Sequence, residues 1–256
     1  MLAFIRHPPS QPATAATLVI AHGLYGSARN WGVIARRLAD RREVLAVDMR
    51  NHGDSPRFPV QGYPEMAADL AEVIESLGPP VDLMGHSMGG KAAMQLALTR
   101  PELIRRLVVA DIAPVAYFHD QSQHARAMAA VDLSRIRTRA EADAALTAGI
   151  DDPALRAFFL QSLDLRSHPP RWKLNLAALE AEMPKIVGWP GTQGHFPHPT
   201  LFLTGADSSY VRPEHRDQIR SLFPKARFAK IPDAGHWLHA EKPREFEETV
   251  RVFLDA

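Results

Sequence analysis

The chain has 256 residues, of which 46% are hydrophobic and 23% charged, so it suits one large α/β domain or one domain with a sizeable insertion. Its formal net charge of +1 gives no electrostatic reason to expect nucleic acid or an anionic membrane as a partner. It contains no cysteine, which excludes disulfides and thiolate catalysis, and no apolar run approaches the roughly 18 residues of a membrane span.

Short apolar runs alternate with helical patterns over residues 1–112 and again over residues 200–256. The predicted strands are Phe4–Arg6 at an edge, Thr17–Ala21, Glu43–Asp48, Val81–Met84, Leu107–Ile112, Thr200–Thr204 and Arg227–Ile231. The predicted helices are Trp31–Leu38, Met66–Ser76, Lys91–Thr99, Pro213–Phe223 and Pro243–Leu254. Because these runs are short, mostly unbroken and rich in Val, Ile and Leu, they suit a mostly parallel sheet that helices cover on both faces.

The alternation stops between residues 113 and 199, where the pattern is mostly helical. The predicted helices there are Gln121–Ala130, Glu141–Gly149, Pro153–Leu163 and Leu174–Ile186. An insertion that follows a strand end is well placed to cover the carboxyl edge of a parallel sheet, where such folds bind ligands. We therefore expect a core of residues 1–112 and 200–256 with a helical cap of residues 113–199. The alternative is a second helical layer without a substrate role.

The most informative motif is Gly85–Gly90, which has the pattern Gly-x-Ser-x-Gly-Gly between an apolar strand and a helix. In this setting the pattern is typical of a nucleophile elbow, a sharp turn that lifts the serine hydroxyl above the sheet. Ser87 is therefore the candidate nucleophile. A neutral serine needs a base within hydrogen-bonding reach, and the base is expected on a loop near the C-terminus.

Among 12 histidines, His236 is the best placed base, because it follows the last predicted strand in the turn Asp233–Trp237. His239, three residues later, is interpreted as structural. Two aspartates compete for the acid that orients the base: Asp111 at the end of one strand and Asp207 in the loop after another. The pattern alone does not choose between them.

Backbone N–H groups should form the oxyanion hole. Met88 follows the nucleophile and is the first expected donor, and Leu24, in the glycine-containing loop after the first inner strand, is the second. A serine mechanism needs no cofactor. The pair His195 and His198 lies in a proline-rich loop without an obvious carboxylate companion, so no metal is expected.

These residues together resemble the α/β-hydrolase superfamily, and more narrowly the YbfF-type bacterial esterases and their mitochondrial relatives. The matching pieces span nearly the whole chain: His22–Leu24, Asp48–Gly53, Gly85–Lys91, Asp111–Pro114, Ile186–Trp189 and Gly235–Pro243. The resemblance implies an α/β-hydrolase fold with a helical cap. It also implies a serine hydrolase that cleaves carboxylic esters or thioesters, such as acyl esters or acyl-CoA, through an acyl-enzyme on Ser87. A cytoplasmic location is expected on other grounds, because residues 1–12 have too short an apolar part and too much proline for a signal peptide.

The resemblance also bears on the acid. Most of the superfamily carries the acid at the position that is Ser208 here. The resemblance to the YbfF-like group implies instead that the acid lies just before the cap, at Asp111. The resemblance also implies that Ser208 assists the histidine as a fourth member of the catalytic set. This chain departs from the group at Asp207, where an asparagine is expected, so Asp207 stays an alternative acid.

Six aromatic residues are candidates for contact with a small acyl substrate: Tyr25, Tyr117, Phe118, Trp189, Tyr210 and Trp237. Phe158, Phe159 and Trp172 of the insertion are further candidates for the lining of an acyl pocket. The alternative for the aromatic residues in and around the insertion is packing in the core of the cap. Lys91 is expected to be either a solvated or salt-bridged helix residue or a contact for a substrate anion. The same catalytic set would also serve a carbon–carbon bond hydrolase or a lactonase, and a small-molecule binding protein on a hydrolase fold is the alternative from another class.

Overall fold

The computed structural model describes residues 1–256 and contains nine strands. They are β1 (Phe4–His7), β2 (Leu18–Ala21), β3 (Val44–Val47), β4 (Val81–His86), β5 (Ile104–Ala110), β6 (Leu163–Asp164), β7 (Arg171–Trp172), β8 (Thr200–Gly205) and β9 (Ala226–Ile231). Seven of them form one sheet in the order β1-β3-β2-β4-β5-β8-β9. Within this sheet only the edge strand β1 is antiparallel to its neighbour, so the sheet is mostly parallel, as predicted.

Eleven α-helices accompany the strands. They are α1 (Gly32–Leu38), α2 (Tyr63–Glu75), α3 (Met88–Thr99), α4 (Ser122–Ala129), α5 (Arg139–Leu146), α6 (Pro153–Leu160), α7 (Leu176–Ala181), α8 (Met183–Val187), α9 (Arg216–Leu222), α10 (Leu238–Glu241) and α11 (Pro243–Asp255). None of these helices has both the length and the apolar character needed to span a bilayer.

The sheet is covered on both faces, because successive strand residues alternate between two hydrophobic clusters. On β2, Val19 and Ala21 belong to the larger cluster, which also contains residues of α2, α3 and α9. Leu18 and Ile20 belong to the smaller cluster, with α1, α10 and α11. This arrangement explains why inner strands such as β2 and β3 are apolar on both faces rather than alternating.

The insertion departs from its predicted elements at two points. The single helix expected over Leu174–Ile186 is two short helices, α7 and α8, that meet at Glu182. Pro184 in the first turn of α8 explains the break, because proline cannot donate the hydrogen bond that a continuous helix needs at that position. The antiparallel pair β6–β7 was not predicted, since strands of two residues carry no measurable periodicity.

The parallel strands place their carboxyl ends at one edge of the sheet. Ser87 follows β4, and Asp111 follows β5, which ends at Ala110 rather than at the predicted Ile112. The loop after β9 leads to His236. The three residues are far apart in sequence, and the sheet topology brings their loops together at this edge.

Candidate active site

The turn at Ser87 has the backbone geometry of an elbow. Ser87 has φ 52° and ψ −120°, a strained conformation for a residue with a side chain. The flanking glycines make the turn possible, because a Cβ at Gly85 would lie 2.3 Å from the Gly89 carbonyl oxygen. A Cβ at Gly89 would lie 2.5 Å from the carbonyl oxygen of Ala21. The strand and the helix can therefore approach closely only where both positions lack a side chain.

Ser87, His236 and Asp111 form one hydrogen-bonded chain. The distance from Ser87 Oγ to His236 Nε2 is 3.1 Å, and that from His236 Nδ1 to Asp111 Oδ2 is 2.7 Å. Asp111 is fully buried, with φ 50°. Because a carboxylate only accepts hydrogen bonds, Nδ1 carries the proton in the neutral ring, and Nε2 is free to accept the serine proton.

The surroundings of the two candidate acids differ. Ser208 Oγ donates to Asp111 Oδ2 over 2.5 Å, and the Gly205 N–H donates to Oδ1 over 3.3 Å. The Asp111 carboxylate therefore has a donor on each oxygen in addition to His236. Asp207 is exposed, and its backbone N–H, rather than its carboxylate, bonds Ala234. The structure places Asp111 against the imidazole and leaves Asp207 in solvent.

The two expected oxyanion donors face the same cavity as Ser87. The Leu24 N–H donates to no group of the protein. Met88 is the first residue of α3, where amides have no intrahelical acceptor. Next to Leu24, Tyr25 has φ 62°, and its N–H donates to Nε2 of the buried His52 over 3.1 Å. The loop that carries Leu24 is thus fixed while the Leu24 amide stays free.

Comparison with known families decides the class of protein. The family described as alpha/beta hydrolase fold matches residues 16–243. The chain belongs to the α/β-hydrolase family. Relatives of this hydrolase include the sn-1-specific diacylglycerol lipase ABHD11 of Mus musculus, 41% identical over 251 residues that cover 94% of this chain and 82% of that protein. Esterase YbfF of Escherichia coli is 40% identical over 242 residues, which cover 93% of this chain and 92% of that protein.

A solved structure, a marine microorganism esterase, superimposes on this hydrolase with a TM-score of 0.92. It is 36% identical and covers 98% of both chains. The α/β-hydrolase fold and the resemblance to the YbfF-type esterases and their mitochondrial relatives, both predicted from the motifs, are confirmed.

A cavity of about 280 Å³ lies above the elbow of this hydrolase. Four of the six predicted aromatic contacts line it: Tyr25, Tyr117, Tyr210 and Trp237. The Tyr210 ring stacks on the His236 ring with a centroid distance of 3.9 Å. Phe158 and Phe159 of α6 complete an aromatic wall.

The other two predicted contacts do not line this cavity. Phe118 is fully exposed, on the irregular segment between β5 and α4. Trp189 follows α8, and its ring lies 6.3 Å from that of Tyr63, outside the lining of the cavity. Sequence reasoning also missed His119 and His124, which do line the cavity. His119 lies on the irregular segment before α4, where no periodic pattern indicates which side meets the core, whereas His124 lies on α4 itself.

Lys91 is neither solvated nor salt-bridged, contrary to one of its two predicted environments. Its side chain is buried, and Nζ donates to the carbonyl oxygens of Val187 at 2.9 Å and Gly188 at 2.5 Å. Nζ also lies 4.6 Å from the centroid of the Tyr117 ring. Burial lowers the pKa of Lys91 to about 7. This lysine therefore joins α3 to the carboxyl end of α8, on the wall of the cavity.

Proposed function

We propose that the protein is a carboxylic ester hydrolase with Ser87 as nucleophile, His236 as base and Asp111 as acid. The observation that carries the proposal is the hydrogen-bonded chain Ser87 Oγ–His236–Asp111, which opens on an aromatic cavity. The relatives named as an esterase and a diacylglycerol lipase support the same reaction class. Ser208 assists by donating to the Asp111 carboxylate.

In the proposed mechanism, His236 Nε2 takes the proton of Ser87 as Oγ attacks the acyl carbonyl carbon. The negative charge on the carbonyl oxygen is stabilised by the N–H groups of Leu24 and Met88, each contributing about 3–4 kcal/mol. The bond to the leaving oxygen breaks, and His236 returns its proton to the departing alcohol. Water then attacks the acyl-enzyme by the same route, which releases the acid and restores Ser87.

Residues 113–199 act as the cap in this proposal. Cavity-lining residues come from both the sheet edge and this segment, for example Leu24 and Met88 from the core, and His124 and Phe158 from the insertion.

Thioesters such as acyl-CoA are the second proposed substrate class, because the same acyl-transfer chemistry would cleave them. A panel of esters and thioesters of graded acyl length would rank them. The cytoplasmic location predicted from the sequence would be tested by cell fractionation.

Substitution of the nucleophile tests the proposal. We expect Ser87→Ala to lower kcat on a p-nitrophenyl acyl ester by about 10⁵- to 10⁶-fold, because the whole catalytic set acts through this oxygen. A fluorophosphonate probe should label Ser87 of the folded wild-type protein and leave the variant unlabelled. Ser221→Ala, an exposed serine on α9, is the matched control and should keep full activity.

The alternatives give different results in the same experiment. A wild-type protein that binds small molecules but neither turns over esters nor reacts with the probe would be a binding protein on a hydrolase fold. Labelling of Ser87 without ester turnover would favour a carbon–carbon bond hydrolase. Turnover confined to cyclic esters would favour a lactonase.

A further inference from the structure

The backbone of the loop that carries His236 is held by side chains at three consecutive residues. The Gly235 N–H donates to Glu241 Oε2 over 2.7 Å, and the Trp237 N–H donates to Glu241 Oε1 over 3.2 Å. The carbonyl oxygen of His236 itself lies 2.8 Å from His86 Nε2. The Glu241 carboxylate therefore accepts hydrogen bonds from the amides on both sides of His236, and the His86 ring bonds the carbonyl between them.

His86 is a neutral donor in this arrangement. It is buried and directly precedes Ser87, and its ring centroid lies 4.8 Å from that of His236. Because a carbonyl oxygen only accepts, Nε2 of His86 carries the ring proton. Burial, together with the nearby His239 and His236, holds the pKa of His86 well below its usual range, so the ring stays neutral. The hydrogen bond from His86 Nε2 to the His236 carbonyl therefore connects the residue before Ser87 directly to the loop that carries His236.

The His236 loop needs such support because it lies between the end of β9 and the start of α10, outside any sheet ladder. Its imidazole must meet Asp111 through Nδ1 and Ser87 through Nε2 at once. A displacement of about 1 Å would lengthen one of these contacts beyond a hydrogen bond, and misplacement on this scale costs catalysts up to about 100-fold.

We propose that Glu241 and His86 are positioning residues that fix the backbone of His236 so that its ring reaches Asp111 and Ser87 together. The proposal rests on the proposed function in that it takes His236 as the base. Neither residue touches the reacting atoms of the proposed mechanism. Both act through the three backbone groups of residues 235–237.

Glu241 is the better position to test because its side chain is on the surface, so its loss does not open the core. We expect Glu241→Ala to lower kcat on a p-nitrophenyl ester by about 10- to 100-fold with KM changed less than about twofold, because substrate binding does not use this carboxylate. Glu241→Gln keeps one acceptor oxygen and should recover part of the loss. Glu245→Ala is the matched control, since Glu245 is exposed and its carboxylate bonds nothing.

A proton NMR signal separates this proposal from the proposed function. The His236 Nδ1–H in contact with Asp111 should give a downfield resonance that is sharp in the wild-type protein and in Glu245→Ala. It should broaden or shift in Glu241→Ala. An unchanged kcat and an unchanged resonance in Glu241→Ala would overturn the positioning role. A wild-type protein that lacks esterase activity would contradict the proposed function, while the resonance would still report on the support of His236.

The kcat of each variant is divided by its folded fraction, measured by circular dichroism. If Glu241→Ala loses activity only because it unfolds, its corrected kcat equals that of the wild-type protein, and this result counts against the proposal.

Discussion

At the scale of single residues, backbone geometry decides which aspartate meets His236, and spacing in the sequence does not reveal it. Asp111 and Asp207 each follow a strand, and those strands, β5 and β8, are neighbours in the sheet. Both loops therefore reach the same edge, which is why the sequence alone left the choice open. The chain after β5 turns at once, with Asp111 at φ 50° and its N–H donating to the Leu203 carbonyl, and Asp111 Oδ2 lies 2.7 Å from His236 Nδ1. In the sequence, only the resemblance to known esterases favours Asp111 over Asp207 as the partner of His236.

Paired substitutions test this assignment. We expect Asp111→Asn to lower kcat by about 10³- to 10⁴-fold, because an amide that donates to Nδ1 holds the wrong tautomer of His236. Asp207→Asn should stay within about twofold of the wild-type protein, since the Asp207 carboxylate is exposed and bonds no side chain. Steady-state kinetics on one activated ester measures both variants. A larger loss in Asp207→Asn than in Asp111→Asn would mean that the acid lies after β8.

At the scale of elements, the core could be predicted and the insertion only in part. Buried strands such as β2 and β3 are continuous apolar runs, so their signal is strong and their predicted bounds lie within one residue of the observed ones. The insertion is held by contacts between short pieces, such as α7, α8 and the pair β6–β7. Pieces of two to six residues are too short for a periodic pattern, and their packing decides which aromatics face the cavity.

The contact between α3 and β2 gives a prediction at this scale. A Cβ on Gly89 would lie 2.5 Å from the carbonyl oxygens of Ala21 and His22. Gly89→Ala must therefore push α3, the helix that follows Ser87, away from the sheet. We expect the free energy of unfolding to fall by about 1–3 kcal/mol, as for other overpacked sites, with a loss of kcat. Urea denaturation monitored by circular dichroism measures the stability.

Gly32→Ala is the matched control, because Gly32 is also a helical glycine but a Cβ there meets only the end of Arg36, at 3.4 Å. Removing a glycine from a helix without a clash should leave stability unchanged or raise it by up to about 1 kcal/mol. Equal stability of the two variants would show that α3 can move away from β2 without cost.

At the scale of the whole molecule, two buried histidines tie the loops that follow β2 and β3 to each other. His22 donates from Nδ1 to the Gly23 carbonyl over 2.7 Å and accepts the Met49 N–H at Nε2 over 2.9 Å. His52 likewise donates to a backbone carbonyl and accepts the Tyr25 N–H. Each ring uses one nitrogen as a donor and the other as an acceptor, so only the neutral form satisfies both bonds.

Burial explains how these rings respond to pH. It lowers the pKa of His22 to about 4 and that of His52 to about 3, and the neighbouring His22 lowers the latter further. In the unfolded chain both groups titrate near 6.5, so below that pH the unfolded state binds protons that the folded state does not. The free energy of unfolding contributed by these rings is therefore intact above pH 6.5. It is lost as the pH falls from 6.5 towards the folded pKa values, by up to about 1.4 kcal/mol per pH unit for each ring.

Substitution of His52 isolates its share of this dependence. In His52→Gln the amide oxygen can still accept the Tyr25 N–H, but the side chain no longer titrates. The curve of unfolding free energy against pH, from urea denaturation between pH 7 and pH 4.5, should therefore be shallower than that of the wild-type protein by about 1.4 kcal/mol per pH unit. His168→Gln removes an exposed histidine and is the matched control. A His52→Gln curve parallel to the wild-type curve would mean that His52 takes up its proton equally in the folded and unfolded states, so that its neutral form is not required to hold the loop beside Leu24.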